Sequence, residues 1–155
     1  MQKIFYFAQK AFVVDDGKLL LIKKSASDPN QANKWEVPGG RMKFGEEINE
    51  HIKREVFEEV GLSIEPGEPF FLWQWQIDRK DKSGEDIHMQ IVAVARICRT
   101  KITNVSFAKH EEDDYIDDFA WVPFERIGEY DTITNMGPVL KEFSKRFSIS
   151  PSVQP

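Results

Sequence analysis

The apolar residues of this chain come first in two runs, "IFYFAQKAFVV" and "LLLIKK", separated by "DDGK". Aromatic and β-branched residues on both sides of an Asp-Gly pair predict a β-hairpin. A polar connector, "SASDPNQANK", leads to "WEVPGG", a short strand interrupted by proline and two glycines. From Glu47 to Val60 the period lengthens. Ile48, Ile52, Val56 and Val60 recur every four residues and predict a helix capped by Gly61. At ~100° per residue, Ile52, Val56 and Val60 span ~80°, with Glu55 and Glu59 at the edge of that stripe rather than opposite it.

Alternation by twos returns in "FFLWQWQIDR", where Phe71, Trp73, Trp75 and Ile77 share one face and Gln74, Gln76 and Asp78 the other. A loop, "KDKSGED", turns the chain into a second long strand, "HMQIVAVARICR". Acidic "KHEEDDYIDD" precedes a short strand, "FAWVP", and "MGPVLKEFSKRF" places Val139, Leu140, Phe143 and Phe147 at helical spacing. Phe5 and Phe7 share a strand face and are assigned to the core. Internal repeats and long linkers are absent. The expected architecture is a single mixed α/β domain over residues 1–147, with 148–155 as a frayed tail.

Composition narrows the function. The chain has 155 residues, 41% hydrophobic and 30% charged, ordinary for a globular domain with a sizeable core. Its formal net charge of -5 opposes extended nucleic-acid binding, which needs a basic footprint, but leaves room for a small anionic substrate that brings its own cations. The chain has no apolar stretch of membrane length. "MQKIFYFAQK" lacks the pattern of a secretory signal, so a cytoplasmic location is expected. Cys98, the single cysteine, excludes an internal disulfide and sits in an apolar run as a buried, inert thiol. His51, His88 and His110 show no metal-ligand spacing and are given no catalytic role.

The chemistry gathers in "REVFEEVG". Glu55, Glu58 and Glu59 fall within one helical turn, where like charges repel, so either solvent screens them or cations sit among them. Mg²⁺ is a hard cation that binds through a few carboxylates, substrate phosphates and water. Gly39 and Gly40 let backbone come close to a metal or phosphate. Arg54 is expected on another side of the helix, where it pairs with Glu46 and fixes the loop.

From Gly40 to Leu62 the chain reads "GRMKFGEEINEHIKREVFEEVGL". Gly40, Glu46, Arg54, Glu55, Val56, Glu58, Glu59, Gly61 and Leu62 fill every specified position of the signature that this segment resembles, that of the Nudix hydrolases. "ANKWEVPGG" is similar to the approach to that motif in MutT-like members. The resemblance implies a Nudix fold, a mixed β-sheet sandwiched between α-helices. It implies Mg²⁺, or Mn²⁺, held by Glu55, Glu58 and Glu59 with the Gly40 carbonyl as a further ligand, and hydrolysis of a nucleoside diphosphate linked to another moiety. The general base comes from the helix in some members and from a later acidic loop in others, which here offers Glu111 and Glu112; both choices stay open.

Markers for ADP-ribose, NADH, coenzyme A and diadenosine polyphosphates are missing, leaving nucleoside triphosphates by elimination. In MutT-like proteins an asparagine before the final helix bonds the base. Asn135 stands at that place, either in that role or as a helix cap. Lys23 and Lys24, at the end of the second strand, stand where such proteins put basic residues near substrate. Trp73 and Trp75 either stack on a purine or serve the core or a subunit interface, so a homodimer is within the expectation. The partner is then a small nucleotide, with no extended nucleic acid and no membrane. The rival is a Nudix-fold module that senses a nucleotide without hydrolysing it; such members commonly lose a motif glutamate, and this sequence keeps them all.

Overall fold

A computed structural model describes residues 1–111 and 114–147. Its strands are β1 (Gln2–Asp15), β2 (Lys18–Lys24), β3 (Trp35–Glu36), β4 (Gly39–Arg41), β5 (Glu65–Lys80), β6 (Asp86–Arg99) and β7 (Ile116–Pro123), and its helices α1 (Ile48–Val60) and α2 (Gly137–Phe147). The expected hairpin forms: Val14 faces Leu19 and Asp15 faces Lys18 around Asp16 and Gly17, both at positive φ as a tight Asp-Gly turn requires.

The sheet runs β3-β2-β1-β6-β5, with β4 also on β1 and β7 also on β2. β1 lies parallel to β6, from Gln2 opposite Ile87 to Val14 opposite Arg99, whereas its pairings with β2 and β4 are antiparallel. The sheet is therefore mixed. Side chains alternate across it. Ala11, Val13, Leu20 and Ile22 pack with Ile52, Val56 and Val60 of α1, while Phe12, Leu19 and Leu21 pack with Val139 and Phe143 of α2. The sheet is thus covered by a helix on each face, the fold the sequence suggested.

Two sequence expectations are corrected here. Ile48, placed on the buried side, is 46% exposed: at the first turn of α1 it borders a groove with Pro69, Phe71 and Leu72 instead of lying over the sheet. Phe5, assigned to the core, is 65% exposed. Helix α1 begins beside Gln9, whose Nε2 donates to the Ile48 carbonyl at 2.7 Å, and so leaves the start of β1 uncovered. Residues 148–155, expected to fray, lie outside the described residues. Among the described residues no helix is long and apolar enough to cross a membrane. Cys98 is fully buried, and burial pushes its thiol up to about 12.

Candidate active site

The site is made where β4 crosses the buried edge of α1. Glu47 caps the helix, its carboxylate accepting from the Asn49 and Glu50 N–H groups, and Gly61 closes it in the left-handed region at φ 71. Gly39 faces Lys10 and Gly40 faces Gln9 across the β1–β4 ladder. Gly39 has φ 149, and a Cβ there would lie 2.2 Å from the Gln9 carbonyl oxygen; one on Gly40 would lie 2.6 Å from the Glu55 carboxyl. Both glycines are needed for backbone and helix carboxylates to come this close.

Glu59 turns inward. It is 7% exposed, and its Oε1 accepts from the Gly39 N–H at 2.7 Å. Behind it runs a buried charge chain: Lys10 Nζ lies 2.8 Å from Glu36, Lys24 Nζ 3.4 Å from the same carboxylate, and Lys24 also donates to the Asp114 carbonyl at 2.7 Å. Burial works to raise Glu36, but Lys10 and Lys24 overcome it and hold the carboxyl below its usual range. Burial works against Lys10 too, but Glu36, with Glu59 and Glu55, holds its ammonium above the usual range. For Glu59 the compensation falls short. Burial first and Glu36 second push its carboxyl well up, against Lys10 and the Gly39 N–H.

Arg54 answers the question of repulsion in part, and not from another side of the helix. Its guanidinium bonds Glu46 at 2.7 and 2.8 Å, and also lies 3.2 Å from Glu55 and 3.1 Å from Glu58. The hydrogen bonds from Arg54 hold the Glu46 carboxyl down at about 2. Glu55, pushed up by burial and by Glu58, stays above its usual range despite Arg54.

Gly39, Gly40, Arg54, Glu55, Glu58 and Glu111 line one cavity of about 550 Å³, together with Asp114 and Tyr6. The oxygens do not form a closed cage: among the described residues no three acidic, His or Cys side chains converge on a point. What the cavity offers is a wall of hard oxygen donors, Glu55, Glu58, Glu111 and Asp114, beside a glycine backbone that a Cβ would block. That donor class fits Mg²⁺ or Mn²⁺.

Other sequence-chosen residues lie apart. Lys23, Lys24 and Asn135 do not line this cavity. Lys24 is engaged with Glu36 and Asp114, whereas Lys23 sits opposite Trp35 on β3. Asn135 lies in a 3₁₀ turn, Thr134–Met136, and caps nothing: its Oδ1 is buried without a hydrogen-bond partner, while its backbone carbonyl accepts from Trp73 Nε1 at 3.1 Å. The cap alternative is thereby set aside. Trp73 and Trp75 stand 5.7 Å apart, half-buried against Ala8, Ile91 and Ala93. Glu112 lies outside the described residues.

Lys10 and Glu36 escaped the sequence reading, each being a single charge in an apolar strand whose partner is distant in the chain. His51 escaped too. It is fully buried, with Nδ1 2.8 Å from Gln9 Nε2 and Nε2 3.9 Å from Glu55 Oε1.

Comparison with known proteins agrees with this fold. A family model of the NUDIX domain matches residues 8–147. The chain is 30% identical over 122 residues to the nucleoside triphosphatase NudI of Klebsiella pneumoniae, covering 77% of this chain and 82% of that one. It is 32% identical over 72 residues to the 8-oxo-dGTP diphosphatase of Escherichia coli K12, spanning 39% of this chain and 56% of that protein. The crystal structure of a MutT protein from Methanosarcina mazei superposes with a TM-score of 0.70 at 20% identity, over 94% of this chain and 97% of the other, which supports the fold. The chain belongs to the Nudix family. Within it, the chain is MutT-like in fold, and it spans about half the length, or less, of the first curated relatives it matches.

Proposed function

We propose that this protein hydrolyses a pyrophosphate bond in a nucleoside triphosphate or a related nucleoside diphosphate derivative, with Mg²⁺, or Mn²⁺ in its place, as cofactor. The observation that carries this reading is the meeting of Gly40, Glu55 and Glu58 in one cavity, above a buried Glu59 bonded to Gly39. Burial raises both Glu55 and Glu59, so neighbouring cationic charge relieves a cost the fold otherwise bears. A divalent cation, when bound, supplies charge neutralisation for a diphosphate and a more acidic water.

Glu55, Glu58, Glu59 and the Gly40 carbonyl would hold it, Glu59 through its second oxygen while Oε1 fixes the glycine strand from below. Arg54 and Glu46 keep the loop of residues 42–47 against the helix. Glu111, on the wall of the same cavity, would take a proton from the attacking water, with a helix carboxylate as the alternative base. Water adds at phosphorus and the bridging oxygen leaves, giving a monophosphate and pyrophosphate, or a diphosphate and phosphate. The buried, unpartnered Oδ1 of Asn135 and the neighbouring Trp73 indole suit the edge and face of a base. Lys23 adds a cation on the same side of the sheet as Leu19 and Leu21. The relatives named for nucleoside triphosphate and 8-oxo-dGTP hydrolysis support this substrate class.

The reading makes residues 1–147 one domain, working in the cytoplasm. The homodimer expectation rests on the aromatic face of β5, and sedimentation at micromolar concentration decides it.

The test is a metal-dependent hydrolysis screen over nucleoside triphosphates, oxidised nucleotides, ADP-ribose and dinucleotides, following phosphate and pyrophosphate separately. Turnover of a nucleoside triphosphate that needs Mg²⁺ or Mn²⁺ is expected. Tight nucleotide binding without turnover of any compound would favour the sensing module instead.

A further inference from the structure

The hydrogen-bond donors and acceptors around His51 fix its tautomer without reference to any ligand. Gln9 Nε2 donates to the Ile48 carbonyl at 2.7 Å, a group that can only accept. Arg96 Nη1 lies 3.2 Å from Gln9 Oε1 and can only donate. These two contacts set which way the Gln9 amide points. Its NH₂ group therefore meets His51 Nδ1, 2.8 Å away, and that nitrogen must accept. The ring proton then sits on Nε2.

This N–H is buried and has no hydrogen-bond partner, an expensive arrangement unless a use exists for it. A carboxylate oxygen within ion-pair reach of Nε2 is Glu55 Oε1, 3.9 Å away; Glu46 and Arg54 also act on the ring through space, and the backbone of Gly40 and Arg41 lies beside it. The same Glu55 oxygen lies 3.2 Å from Arg54 Nη2, so Arg54 and His51 address one atom from two sides.

We infer that His51 is a positioning residue: its Nε2–H, aimed through Arg96 and Gln9, holds Glu55 Oε1 when that carboxylate turns from Arg54 toward a cation, leaving Oε2 facing Gly40. The inference rests on the reading of Glu55 as a metal ligand. Outer groups of this kind orient a ligand and raise its affinity for metal. It also accounts for a buried Gln9–His51 pair that hydrophobic packing alone does not require.

Three substitutions separate the donor from the volume. Gln places an amide nitrogen three bonds from Cβ, as His places Nε2; Asn reaches only as far as Nδ1; Leu fills space without a donor. Mn²⁺ affinity is read by electron paramagnetic resonance, with thermal unfolding as the check on folding. Affinity is expected to fall about tenfold in His51→Leu and His51→Asn and to stay within about twofold of wild type in His51→Gln. In a Glu55→Gln background the His51→Leu loss should vanish, while in a Glu58→Gln background it should persist.

Equal affinity in all four chains would overturn the role of His51 alone, as would a loss in His51→Gln matching that in His51→Leu. A wild-type chain that binds no Mn²⁺ would overturn the metal reading together with this inference. Should the variants fail to fold, ¹⁵N shifts of the wild-type imidazole still decide: a proton on Nε2 is expected, and a proton on Nδ1 would overturn the aim of the ring.

Discussion

Glu59 illustrates how a single residue can weaken the fold it serves. Its carboxylate is 7% exposed, beside a second buried acid, and burial pushes its protonation up. Glu59→Gln keeps an oxygen to accept the Gly39 N–H and removes the buried charge. The variant should therefore melt at the wild-type temperature or above it, while turnover drops by about 10²-fold through a mis-set metal wall. Calorimetry beside a steady-state assay reads both, and a chain destabilised yet fully active would contradict the assignment. Gly40→Ala makes the complementary case: a Cβ 2.6 Å from the Glu55 carboxyl displaces that side chain, so metal affinity should fall more than stability does. The motif made Gly40 and the three helix acids legible, because each is a fixed step along one local segment. Lys10, Glu36 and the Gln9–His51 pair were not legible, since their partners are 26 and 42 residues apart in the chain and only β1 brings them together.

At the scale of elements, α1 depends on a loop clamped to it by the Glu46–Arg54 pair. Arg54 holds the Glu46 carboxyl down at about 2, below its ordinary value of 4.5. A depressed carboxylate adds stability above its unfolded pKa and loses it as pH falls through the folded one. The contribution should thus be complete above pH ~4.5 and fade between ~4.5 and ~2. Comparing melting curves of wild type and Glu46→Gln down this range should show a steeper acid loss in wild type; parallel curves would mean that the pair adds no net stability. The four-residue period announced α1 and its buried Ile52, Val56 and Val60. The period also put Glu59 at the edge of that arc; only the packing revealed that the covered arc takes in His51 as well, because a polar side chain looks solvent-facing until its partner from β1 arrives.

The whole molecule is fastened on the other face of the sheet by aromatic packing. Phe143 of α2 lies 5.1 Å from Phe12, 6.0 Å from Phe70, 5.2 Å from Phe124 and 4.9 Å from Phe147, bringing together segments from every third of the chain. Phe143→Ala should cost about 3–5 kcal/mol in denaturant unfolding. A loss under 1 kcal/mol would mean that α2 is held by something other than this cluster. The layered fold was foreseeable from strand and helix periods, but the parallel pairing of β1 with β6 was not, because alternation specifies a face and not a neighbour. That pairing has a bearing on biosynthesis. β1 is made before β6, yet apart from its contacts with β2 at Val14–Asp15 and with residues 38–42 at Phe7–Ala11 its backbone hydrogen bonds are made by a strand that ends at Arg99. At the ordinary pace of translation the newborn strand waits roughly 4–17 s, with Phe12 and Val13 uncovered, before its partner exists. The nascent chain is then a natural client for a chaperone at the tunnel exit, and slowing the ribosome between codons 15 and 99 should lower the yield of folded protein more than slowing it afterwards.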